Sequence, residues 1–300
     1  MKERNAGLLS TLACYSLWGL LPIYWHLLNS VNAMVILANR IVWSAVFTVA
    51  LLLINRHFSE VIAVLRDKKK MRFMVPAALT ITVNWGIYIW AVNAQHLLDA
   101  SLGYYLNPLV VFAIGMLLFR ETCSPLEWAS LGLACVGVFI ATLAYGAFPW
   151  IALSLAVTFG VYGTLKKLAG VAGLTSIAVE TILVGPFALL YLLFSPAGQS
   201  TFTALTVPTA LLLIFSGVVT ATPLILFTFG VNRLPLTTVG FLQYVSPTLQ
   251  LLLGVLLFHE TLTQDRLVAF AFFGAALVLY SVSLVQKGRK SHAAEGLRQE

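Results

Sequence analysis

Charge is scarce in this chain: Asp, Glu, Lys and Arg make up 10% of its 300 residues, while 60% are hydrophobic and the mean hydropathy is +0.92. That leaves too little polar surface to clothe a water-soluble globule, so a membrane protein is expected. Cysteine is scarcer still. Cys14, Cys123 and Cys135 show no CxxC spacing, so neither a disulfide framework nor a zinc site is expected. The chain also lacks a GxxxxGK[ST] phosphate loop, an HExxH pair, a GxSxG elbow and clustered carboxylates at metal spacing. An ATP-driven pump and an enzyme are therefore disfavoured, and no metal or cofactor is expected. The basic run from Arg66 to Arg72 has no interleaved aromatics of the kind nucleic-acid binders use, and reads as a solvated inside loop.

What the chain has in abundance is apolar runs. A helix needs roughly 20 apolar residues to cross a ~30 Å hydrocarbon layer. Reading between charges, prolines and polar clusters gives ten such spans, at about 6–28, 33–54, 73–93, 100–119, 126–144, 149–168, 174–194, 207–230, 237–258 and 267–285. They are apolar all round, without the alternation of a barrel strand, and backbone groups in lipid must be satisfied within the segment, so the spans are expected to be helices. The first span has a longer apolar stretch than a secretory signal and no small-residue cleavage pattern, so it is expected to be retained.

The positive charges set an orientation. With the N-terminus inside, the inner segments collect Lys2, Arg4, Arg56, Arg66, Lys68, Lys69, Lys70, Arg72, Arg120, Lys166, Lys167, Arg233, Lys287, Arg289, Lys290 and Arg298, and the outer loops hold only Arg266. This bias places both termini in the cytoplasm and agrees with an even number of spans. It also accounts for the basic character of the chain through topology and contact with anionic lipid.

An internal echo organises the rest. NPLVVFAIGMLLFRET (107–122) and SPTLQLLLGVLLFHET (246–261) align Pro108 with Pro247, Gly115 with Gly254 and Glu121 with Glu260, 139 positions apart. Trp18-Gly19 likewise falls on Tyr162-Gly163, 144 apart. The repeat is thus five helices long. An odd number makes the second copy enter from the opposite face, which is the inverted repeat used by many secondary transporters. The expected units are residues 1–145, residues 146–286 and a cytoplasmic tail at 287–300.

Candidate site residues follow from polarity inside the spans. Pro108 and Pro247 each lack an amide donor and free the carbonyls of Tyr104 and Gln243. With Gly115 and Gly254 they mark candidate kinks or gates, facing either a polar cavity or a neighbouring hydroxyl. Arg40 and Glu180 are the two charges clearly within spans. They occupy corresponding places about 10 Å deep from opposite faces, at 1.5 Å per residue, so they are assigned separate vestibules rather than a mutual pair. The alternative for each is a snorkelling or helix-tying charge.

A polar and aromatic group completes the expected pathway: Trp18, Asn84, Tyr88, Asn93, Tyr104, Asn107, Gln243 and Tyr244, with Tyr24, Trp85, Tyr105, Thr222 and Ser246 beside them. Such walls suit a small, partly apolar organic solute. Trp25, Trp128 and Trp150 fall at span ends and read as interfacial anchors. Glu121 closes a helix beside Ser124-Pro125-Leu126-Glu127, a capping box, so that corner reads as structural. Gly137 with Ala141, and Ala271 with Ala275, fit either internal packing or a homodimer.

NRIVWS (39–44), NWGIYIWAVN (84–93), ASLGYYLNPL (100–109), GFLQYVSPTL (240–249) and SLWGLLPIY (16–24) resemble the RarD branch of the drug/metabolite transporter superfamily, whose repeats are of the EamA type. The resemblance covers about residues 6–285. It implies ten helices in two inverted units, a multi-pass position in the bacterial inner membrane, and permease activity toward a small organic metabolite or drug, with no cofactor. RarD-type proteins commonly carry chloramphenicol-related labels, and other members of the superfamily export amino acids and other metabolites. A non-transporting scaffold or sensor and a channel are the alternatives; the short tail offers little material for a sensor.

Overall fold

The computed structural model describes residues 2–93, 97–145, 150–257 and 264–296, and those residues form thirteen helices with no strand among them. In chain order they are α1 (Lys2–His26), α2 (Ala33–Ile54), α3 (Phe58–Arg66), α4 (Lys68–Asn93), α5 (Leu97–Phe119), α6 (Pro125–Tyr145) and α7 (Trp150–Ala169). There follow α8 (Gly173–Phe194), α9 (Pro196–Thr203), α10 (Val207–Val231), α11 (Leu236–Leu242), α12 (Val245–Leu256) and α13 (Gln264–Gly296). Among the described residues seven helices are long and apolar enough to cross a membrane, and Gly103–Phe119 is a shorter apolar one. The protein is an all-helical, multi-pass membrane protein.

Its surface is apolar where it meets lipid: Leu117, Ile54 and Phe187 are more than 70% exposed. The interior holds small and polar residues instead, among them Ser44, Thr48, Ser130, Ser216 and Thr228. In lipid the apolar surface has no solvent to escape, so helices associate through close packing of small residues and interhelical hydrogen bonds. The contact of α2 with α10 is an example. Ser44 Oγ donates to the Gly217 carbonyl at 3.0 Å, and a Cβ added at Gly217 would stand 2.3 Å from the Trp43 carbonyl carbon.

Helix boundaries follow local chemistry. Asn32 Oδ1 accepts the Met34 N–H at 2.9 Å to start α2, and Ser195 Oγ accepts the Gly198 N–H at 3.0 Å to start α9. The capping box at α6 forms as expected: Ser124 N–H donates to Glu127 Oε2 at 2.7 Å, and Glu127 N–H returns to Ser124 Oγ at 3.3 Å. Gly170, at φ +57°, ends α7 in the left-handed region that favours glycine. The basic run expected as a loop is instead largely helical. Asp67 Oδ1 accepts the Lys69 N–H at 2.8 Å, capping α4 so that Lys68–Arg72 become its first turns, with the Asp67 carboxylate countering their charge at the positive end of the helix.

The expected ninth span is broken. Pro247 cannot donate to the Gln243 carbonyl, which accepts the Ser246 N–H at 3.1 Å instead, and the chain turns at Gln243–Tyr244 between α11 and α12. Its echo, Pro108, sits inside an unbroken α5.

Packing follows the echo. By sequence spacing, α1 corresponds to α7, α2 to α8, α4 to α10, α5 to α11 with α12, and α6 to α13. The α5–α7 contact is matched by α12–α1, α4–α7 by α10–α1, and α2–α10 by α8–α4. Corresponding helices also pack on each other, in the pairs α2–α8, α6–α13 and α5–α11. At the last, a Cβ on Gly240 would lie 2.8 Å from the Pro108 carbonyl.

Glu121 ties this junction together. Its carboxylate accepts the N–H groups of Leu236 and Thr237 at 2.8 Å each, and Lys167 Nζ at 3.1 Å. Gly115 leaves the room: a Cβ there would stand 2.8 Å from Glu121 Oε2. Burial raises the pKa of Glu121, but the two backbone donors and the Lys167 ammonium outweigh it, and the net shift is downward.

Gly217→Ala must separate α2 from α10 and lowers the thermal unfolding midpoint in detergent, whereas Gly132→Ala, with nothing within 4 Å of the added Cβ, is neutral or stabilising by up to about 1 kcal/mol. Glu121 has a folded pKa below its unfolded value of about 4.3, so its contribution is present above that value and is lost as pH falls through the folded pKa. Glu121→Gln therefore lowers the midpoint at pH 7, and the gap from wild type closes below about pH 4.

Candidate functional site

Proline turns, aromatic faces and one interior cation meet around a cavity of about 330 Å³. Its walls come from α1, α2, α4, α5, α7, α10 and the α11–α12 break. The cavity is lined at matching positions of the two copies. Ile81 with Thr220, Trp85 with Leu224, Tyr104 with Gln243 and Asn107 with Ser246 are each 139 positions apart, and all eight face it. One further pair of this spacing sits just behind the wall, where Tyr244 OH donates to the Tyr105 carbonyl at 3.3 Å and both rings pack on Phe273.

Arg40 lies on α2 and projects into this space. Its Nε donates to Thr220 Oγ1 at 2.9 Å, and its Cζ lies 4.6 Å from the Trp25 ring centroid and 5.1 Å from that of Trp85. Aromatic faces attract a guanidinium electrostatically while keeping water away from it. Tyr88 and Tyr104 stand edge to face at 6.1 Å along the same wall. Asn84 spends its amide on the Leu155 carbonyl at 2.9 Å and Thr158 Oγ1 at 2.8 Å, tying α4 to α7. The floor is aromatic: Trp18 and Phe159, 5.7 Å apart, pack on Phe227.

The structure thus brings Arg40, Trp18, Asn84, Tyr88, Tyr104, Asn107 and Gln243 of the expected pathway onto one cavity, with Pro247 beside them. Tyr244 stands behind it, 1% exposed. Gly115 serves the Glu121 junction, Gly254 lies within α12, and the surroundings of the Asn93 side chain fall outside the described residues, as do Glu260 and Thr261. Thr222 does not line the cavity; Thr220, two residues earlier, faces it. Trp25, expected as an interfacial anchor at a span end, lies against the Arg40 guanidinium.

Glu180 is placed elsewhere. Lys166 Nζ, expected at an inner loop, is buried at the end of α7 and makes a direct ion pair with Glu180 Oε1. Tyr162 OH donates to Glu180 Oε2 at 3.0 Å, and Lys166 donates to Ser176 Oγ at 2.6 Å. The group links α7 to α8, and Glu180 is absent from the cavity wall. Sequence reasoning missed Lys166 because a lysine in a last helical turn resembles a cytoplasmic flank; the available signal was Glu180, a mid-span acid needing a partner.

A model of the EamA-like transporter family matches this chain twice, over residues 5–143 and 149–283. The chain belongs to the EamA-like transporter family. Protein RarD of Streptomyces exfoliatus is 43% identical over 292 residues, covering 97% of this chain and 93% of that protein. Protein RarD of Escherichia coli K12 is 38% identical, covering 97% and 98%. The uncharacterized transporter YojE of Bacillus subtilis is 41% identical over 299 residues, covering 97% and 99%. A solved crystal structure at 20% identity shares the fold, with a TM-score of 0.71 over 93% of this chain and 98% of that one. The EamA-like chain is a membrane transporter of the drug/metabolite transporter superfamily.

Removing one member of the buried pair strands the other. Lys166→Met or Glu180→Gln alone costs about 3–5 kcal/mol, and the double variant recovers most of the loss, as read by thermal unfolding of the purified protein.

Proposed function

We propose that the protein is a secondary carrier of the bacterial inner membrane that exports a small organic metabolite or drug by alternating access. One observation carries this reading: one interior cavity draws its wall from positions 139 apart in the two halves that each match the family model. When two like units are threaded through the bilayer in opposite senses, exchanging their conformations moves the opening from one face to the other at little cost in energy. Ten crossings with both termini in the cytoplasm satisfy that requirement, and the fifteen-to-one distribution of basic residues that remains once the buried Lys166 is set aside supports the orientation.

The volume and chemistry of the cavity agree with a solute of modest size. About 330 Å³ is at the small end of the range for organic ligands, and the wall joins aromatic faces to a few directed polar groups. The broken α11–α12 segment supplies a moving part, because a turn at Gln243–Tyr244 can pivot without disrupting a continuous helical ladder.

Two measurements test the proposal. Reporter fusions at residue 148 and at the C-terminus are expected on opposite sides of the membrane; the same side for both removes the inverted arrangement. In proteoliposomes of the purified protein, uptake of a bound solute is expected to saturate and to be accelerated by the same solute loaded on the far side, whereas linear uptake without such exchange identifies a channel.

A further inference from the structure

The cavity holds an unanswered charge. Among the described residues Arg40 has no carboxylate partner, and its one hydrogen bond runs from Nε to Thr220. A guanidinium keeps its proton and carries five N–H donors, so among the described residues both terminal nitrogens are left without acceptors. The rings of Trp25 and Trp85 offset part of its desolvation but supply no acceptor atom in the plane of the guanidinium. Among the described residues no Asp or Glu lines the cavity. This differs sharply from Glu180, whose charge is matched inside the protein by Lys166.

A second observation is independent of the charge. Asn107 Oδ1 and Gln243 Oε1 are buried with no hydrogen-bond donor, and both residues line the same cavity. They come from corresponding turns of α5 and of the α11–α12 break, one from each repeat. Buried acceptors left unmet are costly, so a site holding two of them fits a ligand that brings donors.

Resting on the reading of this cavity as the transport site, we propose that its substrate is a small organic anion: a carboxylate accepts from the Arg40 terminal nitrogens while a hydroxyl or amine on the same molecule donates to Asn107 and Gln243. The planar fork of a guanidinium matches the two oxygens of a carboxylate. The aromatic wall takes the apolar body. A purely cationic solute would bring like charge to Arg40 with no acid among the described wall residues to hold it, and a neutral one would leave the guanidinium unpaired.

The test uses the full-length protein in detergent and a set of small aromatic carboxylates with their neutral amides, 4-hydroxybenzoate against 4-hydroxybenzamide first among them. Binding is read by tryptophan fluorescence, to which Trp25 and Trp85 report directly, and by thermal stabilisation. The carboxylates are expected to bind at least tenfold more tightly than the matching amides. Arg40→Gln abolishes that preference and Arg40→Lys retains part of it, while 4-hydroxybenzoate binds more tightly than benzoate until Asn107→Leu removes the difference. The wild-type comparison decides even where a variant folds poorly. Amides binding as well as carboxylates, no carboxylate binding at all, or a preference that survives in folded Arg40→Gln would each overturn the proposal. If neutral solutes nevertheless exchange across proteoliposomes, the carrier reading stands without it; if carboxylates bind through Arg40 but never exchange, the anion site stands and the carrier reading falls.

Discussion

Water is absent from the hydrocarbon layer, so every polar group carried into it must find its partner within the protein or in what the protein binds. Nearly every feature of this molecule can be traced to that demand. Serine and threonine hydroxyls donate back to carbonyls one turn earlier, as Thr48 does to Ser44 and Thr228 to Leu224. Lys166 and Glu180 neutralise each other, with Tyr162 and Ser176 completing their hydrogen bonds. Glu121 answers the free N–H groups that open α11. Among the described residues the cavity departs from this pattern: its cation has no carboxylate partner and two of its amide oxygens have no donor.

Much of the architecture was legible because membrane insertion is decided locally. Whether about twenty residues can lie in lipid depends on their own composition, so nine of the ten expected spans fall on long helices and the ninth on the broken α11–α12 segment. The echo around Pro108 and Pro247 was equally plain, as was the capping box at Ser124, whose chemistry is complete within four residues. The short helices α3 and α9 were not foreseen. The first is amphipathic, with Val61 and Val64 buried against its neighbours, and the second depends on a serine cap with proline beside it. Neither has a long apolar run to announce it.

What escaped the sequence depends on which residues a fold brings together from afar. Trp25 at a span end looks like any other interfacial tryptophan until α2 places Arg40 beneath it. Thr220 and Thr222 are indistinguishable by type, and only the rotation of α10 selects the first for the cavity. Two prolines with the same neighbours also behave differently. Pro108 is carried in an unbroken α5, while Pro247 accompanies a full break, since α11 is held separately at its start by Glu121 and pressed against α5 at Gly240. A repeat in sequence is thus compatible with an asymmetric conformation, which two exchanging states require.

The seam between Gly217 and the Trp43–Ser44 backbone reaches beyond its own contact. It lies about one helical turn from both Arg40 and Thr220, which are themselves joined by a hydrogen bond. Two helices that touch backbone to backbone cannot slide past each other without losing that bond. A motion that reshaped the cavity with this seam intact would carry the guanidinium and its hydroxyl partner together as one stiff plank, while Trp25 on α1 and Trp85 on α4 could shift around them.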